Sequence, residues 1–218
     1  MNYDSVPLRD FKELNDWETV IFVYQSALKQ VETKIDILNG EFQHRHKYNP
    51  IEHVKSRIKT PESIVKKLKR HGYESSIENM VRYVNDIAGI RISCSFTSDI
   101  YLIADMISKQ NDLTILARRD YMKNPKKSGY RSYHMLVTTP VFLSDSIIDT
   151  KVEIQIRTVA QDFWATLEHK MHYKFEGDGP DYITKELREC ARYVAELDTR
   201  MEELNNEIHK YGKLSDKK

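Results

Sequence analysis

From Leu14 the apolar residues Trp17, Ile21, Tyr24, Leu28, Val31, Ile35 and Leu38 recur at alternating steps of three and four, which predicts one long amphipathic helix. Asn39-Gly40 is its expected stop, because these residues enter the left-handed turn that ends many helices. A second stripe, Ile183, Leu187, Cys190, Val194, Leu197, Met201, Leu204, Ile208 and Tyr211, predicts another long helix toward the far end. Heptad-like spacing of this kind serves equally for packing on a central domain, on the other helix or on another subunit.

Between the two stripes the period shortens. Ile90, Ile92, Cys94 and Phe96 alternate with Arg91, Ser93 and Ser95, and Val152, Ile154 and Ile156 alternate with Lys151, Glu153, Gln155 and Arg157. Both read as strands with one buried face and one charged face. Residues Leu113–Ala117 and Tyr133–Thr139 are further strand candidates, while Pro61–Arg70, Ile77–Val84, Ile100–Ser108 and Val159–Tyr173 read as helices. Thr158 followed by Gln161 has the spacing of a capping box at the start of the last of these, and Phe163, Trp164, Leu167 and Met171 are its expected buried face. The fold class expected is α+β: a mixed β-sheet flanked by helices, with long N- and C-terminal helices.

Composition narrows the class without naming a function. Forty per cent of the 218 residues are hydrophobic and 31% charged, with seven Gly and six Pro, so a low-complexity or fibrous chain is excluded. The 34 basic residues stand against 33 acidic ones, so any site for a polyanion must be locally concentrated. Two cysteines, Cys94 and Cys190, are too few for a disulfide framework; they fit a reducing cytoplasm, and Cys94 falls on the buried face of its strand. No signal-peptide pattern opens the chain and no apolar run approaches the ~20 residues of a membrane span, so neither export nor membrane insertion is expected.

Local concentration is what the sequence shows. Residues 44–71 carry nine Lys or Arg against the two acids Glu52 and Glu62. Within that run Ser63 and Lys67 share one helical face just after Pro61, with Arg57 and Lys59 before it, an arrangement suited to phosphate. A second basic stretch, Arg118 to His134, interleaves Arg119, Lys126 and Arg131 with Tyr121, Tyr130 and Tyr133, mixing phosphate-pairing cations with stacking rings. The glycines at 40, 72, 89, 129, 177, 179 and 212 form neither a P-loop nor a dinucleotide fingerprint, so side chains must hold any phosphate. Asp86, just before one strand, and Glu153, on the polar face of another, can share one Mg²⁺ whose remaining ligands are substrate phosphates. The histidines match no zinc spacing. An RNA or single-stranded nucleic-acid binding module would use the two basic stretches and the tyrosines, yet has no need of the carboxylates.

Ordered blocks of residues add a resemblance. Asn49-Pro50-Ile51-Glu52-His53-Val54-Lys55-Ser56-Arg57-Ile58-Lys59, Asp86-Ile87-Ala88-Gly89-Ile90-Arg91-Ile92, Lys127-Ser128-Gly129-Tyr130-Arg131-Ser132-Tyr133-His134, Val152-Glu153-Ile154-Gln155-Ile156-Arg157-Thr158 and Phe163-Trp164-Ala165-Thr166-Leu167-Glu168-His169 resemble the RelA/SpoT-type (p)ppGpp synthetases, in particular the small alarmone synthetases and their RelP-like branch. His53, Lys55 and Asp162 depart from the pattern of the RelQ branch. The resemblance implies a nucleotidyltransferase-like fold that transfers the β,γ-pyrophosphate of ATP to the 3′-oxygen of GDP or GTP, with Mg²⁺ as cofactor and AMP as the second product.

It also implies a role for each matching residue. Arg57 and Arg91 would sandwich adenine, and Lys59, Ser63 and Lys67 would hold the ATP phosphates, with Arg119 reaching them from the second basic stretch. Asp86 and Glu153 would hold the metal, and Glu153 would take the proton of the 3′-hydroxyl. Tyr130 would stack on guanine, Lys126, Arg131 and His134 would meet the acceptor's phosphates, and Gln155 would lie beside Glu153. On this reading residues 1–43 are an N-terminal helical extension, 44–175 the synthetase domain, and 176–218 a C-terminal helical extension for oligomerisation, the family forming homotetramers. No His-Asp dipeptide occurs, so the family's hydrolase domain is not expected, and the length leaves no room for its ribosome-docking domains.

Overall fold

A computed structural model describes residues 16–46, 48–174 and 181–215. The elements run α1 (Trp17–His46), β1 (Ile51–Ile58), α2 (Pro61–Arg70), α3 (Ile77–Tyr83), β2 (Ala88–Cys94), α4 (Thr97–Ser108), β3 (Thr114–Asp120), β4 (Tyr133–Phe142), β5 (Ile147–Thr158), α5 (Val159–Lys174) and α6 (Asp181–Ser215). The strands form one sheet in the order β1-β2-β5-β4-β3, in which β2 and β5 are parallel and every other pair antiparallel. This is the mixed sheet with flanking helices that the alternating and helical periods predict.

Alternation along the strands divides the sheet into an apolar and a polar face. Ile90, Ile92 and Cys94 of β2, Val152, Ile154 and Ile156 of β5, and Met135 and Val137 of β4 are all buried. They form one core with Val20, Val23, Tyr24, Ala27, Leu28, Val31 and Ile35 of α1 and Ile100, Ile103 and Ile107 of α4. Of the alternatives open for the N-terminal stripe, α1 therefore takes packing on the central sheet; Leu14 lies outside the described residues. Burying an aliphatic side chain is worth about 1.5–3 kcal/mol, which is why this stripe and these strands fix each other's position.

Three expectations change. Helix α1 does not stop at Gly40 but continues to His46. Gly40 meets no neighbour that would force it out of the helix, Arg45 pairs with Glu41 one turn back, and the ring of Phe42 packs at a tilt on His46 and edge-on to Tyr48. The cost of about 1 kcal/mol for an internal glycine is offset by those contacts. Strand β1, which periodicity missed, pairs with β2 along its whole length; a register shift between Ile51 and His53 puts Ile51 and Val54 on one face three residues apart and hides the alternation. On α5, Trp164 and Ala165 pack against Ala191 of α6, while Phe163 and Met171 are exposed, because they lie off the side that α6 covers.

Candidate active site

The polar face of the sheet carries the site, and strand register builds it. One row crosses all five strands: Lys55 of β1 pairs with Arg91 of β2, Arg91 with Gln155 of β5, Gln155 with His134 of β4, and His134 with Arg119 of β3. The adjacent row brings Arg57 opposite Gly89 and Gly89 opposite Glu153. A Cβ on Gly89 would meet nothing within 4 Å, so the glycine leaves open space between the arginine and the carboxylate. Arg57, Asp86, Arg91, Arg119, Lys126, Tyr130, His134, Glu153 and Gln155 line one cleft of ≈ 490 Å³. A neighbouring hollow of ≈ 230 Å³ shares Arg57, Asp86, Arg91, Glu153 and Gln155 with it and adds Lys55 and Gly89.

Helix α2 supplies the cations at one end. Thr60 caps it by accepting from the Ser63 backbone N–H, and Pro61 opens its first turn. From there Lys67 Nζ donates to Asp86 Oδ1 at 2.7 Å, and Lys59 Nζ, from the end of β1, donates to Oδ2 at 2.8 Å. Burial pushes the Asp86 carboxyl up, but the two ammonium groups outweigh it and hold the group down at about 2. Ser63 is exposed, with Thr60 Oγ1 donating to its Oγ at 3.0 Å.

Glu153 lines both the cleft and the hollow beside it. Burial raises its pKa, yet His134, whose Nδ1 lies 3.7 Å from Oε1, and the Gln155 amide, which donates to Oε2 at 2.8 Å, bring it below the usual carboxylate value. The nearby charge of Asp86 works the other way, and both carboxylates line the same cleft. Two hard oxygen donors facing a cleft rimmed by phosphate-pairing cations are the donor set that Mg²⁺ takes when a nucleotide completes its shell.

The loop between β3 and β4 forms the other end. Tyr130 is hydrogen-bonded to His134 Nε2 at 2.9 Å, and Lys126 Nζ lies 4.7 Å from the Tyr130 ring centre and 5.0 Å from that of Tyr121. Arg131 takes the opposite side of this loop: it donates to the Met122 carbonyl at 2.6 Å and lines a separate hollow with Arg188 and Ala191 of α6. Tyr121, one of the rings of the second basic stretch, also lines the cleft, as do Arg157, Glu168 and His169, to which sequence reasoning gave no role there. Arg157 belongs to the charged face of its strand, and that alternation was the signal for it. The guanidinium of Arg157 lies 5.4 Å from the Tyr130 ring centre and donates to Gln155 Oε1 at 2.7 Å.

The model of the region found in RelA / SpoT proteins matches residues 56–178, which spans both carboxylates, the row across the sheet from Arg91 to Arg119 and the tyrosine loop. The chain belongs to the RelA/SpoT family. Among RelA/SpoT relatives, the GTP pyrophosphokinase YwaC of Bacillus subtilis is 45% identical over 195 residues, 89% of this chain and 93% of the relative. The crystal structure of small alarmone synthetase 1 from B. subtilis bound to its product pppGpp is 34% identical and superposes with a TM-score of 0.82 over 88% of this chain and 97% of that one. The same enzyme bound to AMPCPP is 31% identical, with a TM-score of 0.76 over 89% and 98%. The RelA/SpoT resemblance carried by the five sequence blocks is therefore borne out, and with it the fold class.

Proposed function

We propose that this chain is a Mg²⁺-dependent (p)ppGpp synthetase that transfers the β,γ-pyrophosphate of ATP to the 3′-hydroxyl of GDP or GTP. The observation that carries the reading is the pair Asp86 and Glu153 on one cleft, between cations from α2 at one end and a tyrosine-bearing basic loop at the other. The 3′-oxygen attacks the β-phosphorus of ATP, the bond from that phosphorus to the α-phosphate oxygen breaks, and AMP leaves. A magnesium ion held by Asp86 and Glu153 would neutralise charge developing on the transferred phosphates.

The residues around it do the positioning. Arg57 and Arg91 present planar guanidinium groups to the adenine, while Lys59 and Lys67 exchange Asp86 for the incoming phosphates, with Arg119 at the cleft's edge and Ser63, exposed on α2 and not lining the cleft, one turn before Lys67. Tyr130 offers the guanine a ring face, and Lys126, Arg131 and His134 meet the acceptor phosphates, which requires the loop to turn Arg131 inward from its contact with Met122. Glu153, ionised at neutral pH, is ready to take the 3′-proton, and Gln155 fixes the oxygen it does not use.

This activity belongs in the cytoplasm, where its nucleotides are and where two free cysteines remain reduced. We also assign the chain to a homotetramer, supported by the exposed apolar face of α6. The nucleic-acid-binding alternative leaves Asp86 and Glu153 repelling the polyphosphate backbone with no purpose. The test is chromatography of products formed from ATP, labelled GDP and Mg²⁺. The wild type yields a 3′-pyrophosphorylated guanosine and matching AMP, and Glu153→Gln lowers kcat by about 10²–10⁴-fold. Neither product from the wild type with GDP or GTP sinks the proposal.

A further inference from the structure

Asp162, in the first turn of α5, faces two arginines. Its Oδ1 lies 3.3 Å from Arg91 Nη1 and 3.7 Å from Arg157 Nε. The Asp162 side chain is 14% exposed and that of Arg157 only 3%. Neither Asp162 Oδ1 nor Arg157 Nε makes a hydrogen bond, although both atoms are shut off from solvent. A buried carboxylate oxygen left without hydrogen bonds is costly unless opposite charge compensates it, and here the compensation is two guanidinium groups at once.

Those two arginines serve different halves of the cleft. Arg91 lies on the donor side, in the row with Lys55. Arg157 lies on the acceptor side, beside the Tyr130 ring, and its Nη2 donates to Gln155, which in turn donates to Glu153. Burial lowers the proton affinity of the Arg157 guanidinium; the like charge of Arg91 lowers it further, and Tyr130, Asp162 and Glu153 oppose both. Without Asp162 the two cations would face each other across a poorly solvated gap and swing apart.

We infer that Asp162 is a positioning residue of the synthetase site, a shared counter-ion that holds Arg91 for the donor nucleotide and Arg157 beneath the acceptor's stacking tyrosine. It touches neither nucleotide and acts through the two arginines. The inference rests on the assignment of donor and acceptor ends in the proposed function, and it adds that one side chain builds both.

The test replaces Asp162 by Asn, which keeps the shape and removes the charge, and by Glu, which keeps the charge one methylene further out. In Asp162→Asn the KM values for ATP and for GDP both rise by about five-fold or more while kcat falls by less than about three-fold. Asp162→Glu lies between that variant and the wild type. Calorimetric titration with AMPCPP and with GDP shows the same weakening of each ligand without turnover. A purely structural role would lower the melting temperature of Asp162→Asn and leave both affinities unchanged, and that result overturns the inference. If Asp162→Asn does not fold, Asp162→Glu decides, because unchanged affinities for both ligands in that variant overturn it equally. A wild type that binds both nucleotides and forms no product refutes the synthetase reading and leaves the calorimetric comparison to judge Asp162 by itself.

Discussion

Asp86 holds two ammonium groups at hydrogen-bond distance, and a metal ion on the same oxygens would have to displace at least one of them. On the proposed reading the lysines would thus be stored where the nucleotide's phosphates arrive, and until then they keep the carboxylate ionised. The linkage has a definite sign. The folded carboxyl titrates at about 2 against an ordinary 3.8, so its stabilising contribution is complete above about pH 4 and is lost as pH falls through about 2. The size is about 2 kcal/mol, from 1.36 kcal/mol per pH unit. Urea unfolding at a series of pH values checks it: wild type is more stable than Asp86→Asn at neutral pH, and the gap closes between about pH 4 and pH 2. A gap independent of pH in that window would show that the lysines do not hold Asp86 in solution.

At the scale of elements, α6 determines how the tyrosine loop sits. Gly129 has a φ of +91°, and a Cβ there would lie 2.6 Å from the Ala191 Cβ on α6. Trp164 Nε1 donates to the Leu187 carbonyl at 2.9 Å, and Asp198 accepts from both Thr158 Oγ1 and Gln161 Nε2, so the helix is fastened on both sides of that contact. Gly129→Ala must strain the backbone and push the loop from α6, at a cost of about 1–3 kcal/mol. The expected outcome is a lower melting temperature together with weaker GDP binding and near-normal AMPCPP binding, measured by scanning and titration calorimetry. Unchanged GDP affinity would separate the loop's packing from the acceptor site.

Local punctuation explains which elements were legible in the sequence. Helix α2 starts and stops where Pro61 and the basic last turn indicate, and the Thr158–Gln161 capping box forms as its spacing predicts, with Gln161 N–H donating to Thr158 Oγ1 at 3.1 Å. Gly40 misled because a glycine signals a stop only where local side-chain contacts do not carry the helix onward, and here Glu41–Arg45 and Phe42–His46 do. Strand β1 was hidden by its bulge, and Phe163 by the partner that α5 turned out to have. For the candidate site, alternation placed Arg91, Glu153 and Gln155 on one face correctly, since a strand's period is two. It said nothing of a loop, where Tyr130 and Arg131 are adjacent in sequence and take opposite sides. Nor did it show Asp162, whose role depends on two strands and a helix meeting.

The whole molecule leaves α6 with two unlike sides. Leu187, Ala191, Val194 and Asp198 face the chain's own α5 and its neighbours, whereas Tyr193, Leu197, Met201, Leu204 and Ile208 are exposed. The exposed set repeats at steps of four and three, the spacing of a helix seam, so the proposed assembly buries this side against another copy of α6. Leu197→Glu combined with Leu204→Glu places charges in that seam and none in the cleft, since neither residue lines it. Sedimentation velocity should then show the wild type as an oligomer and the double variant as a smaller species, with circular dichroism unchanged. AMPCPP and GDP should bind the double variant with near-wild-type affinity, because neither substituted residue lines the cleft. A wild type that sediments as a monomer at micromolar concentration removes the assembly and returns the exposed stripe to some other partner. A double variant that stays assembled instead places the interface elsewhere, with Phe22 and Ile37 on the outer side of α1 the next residues to change.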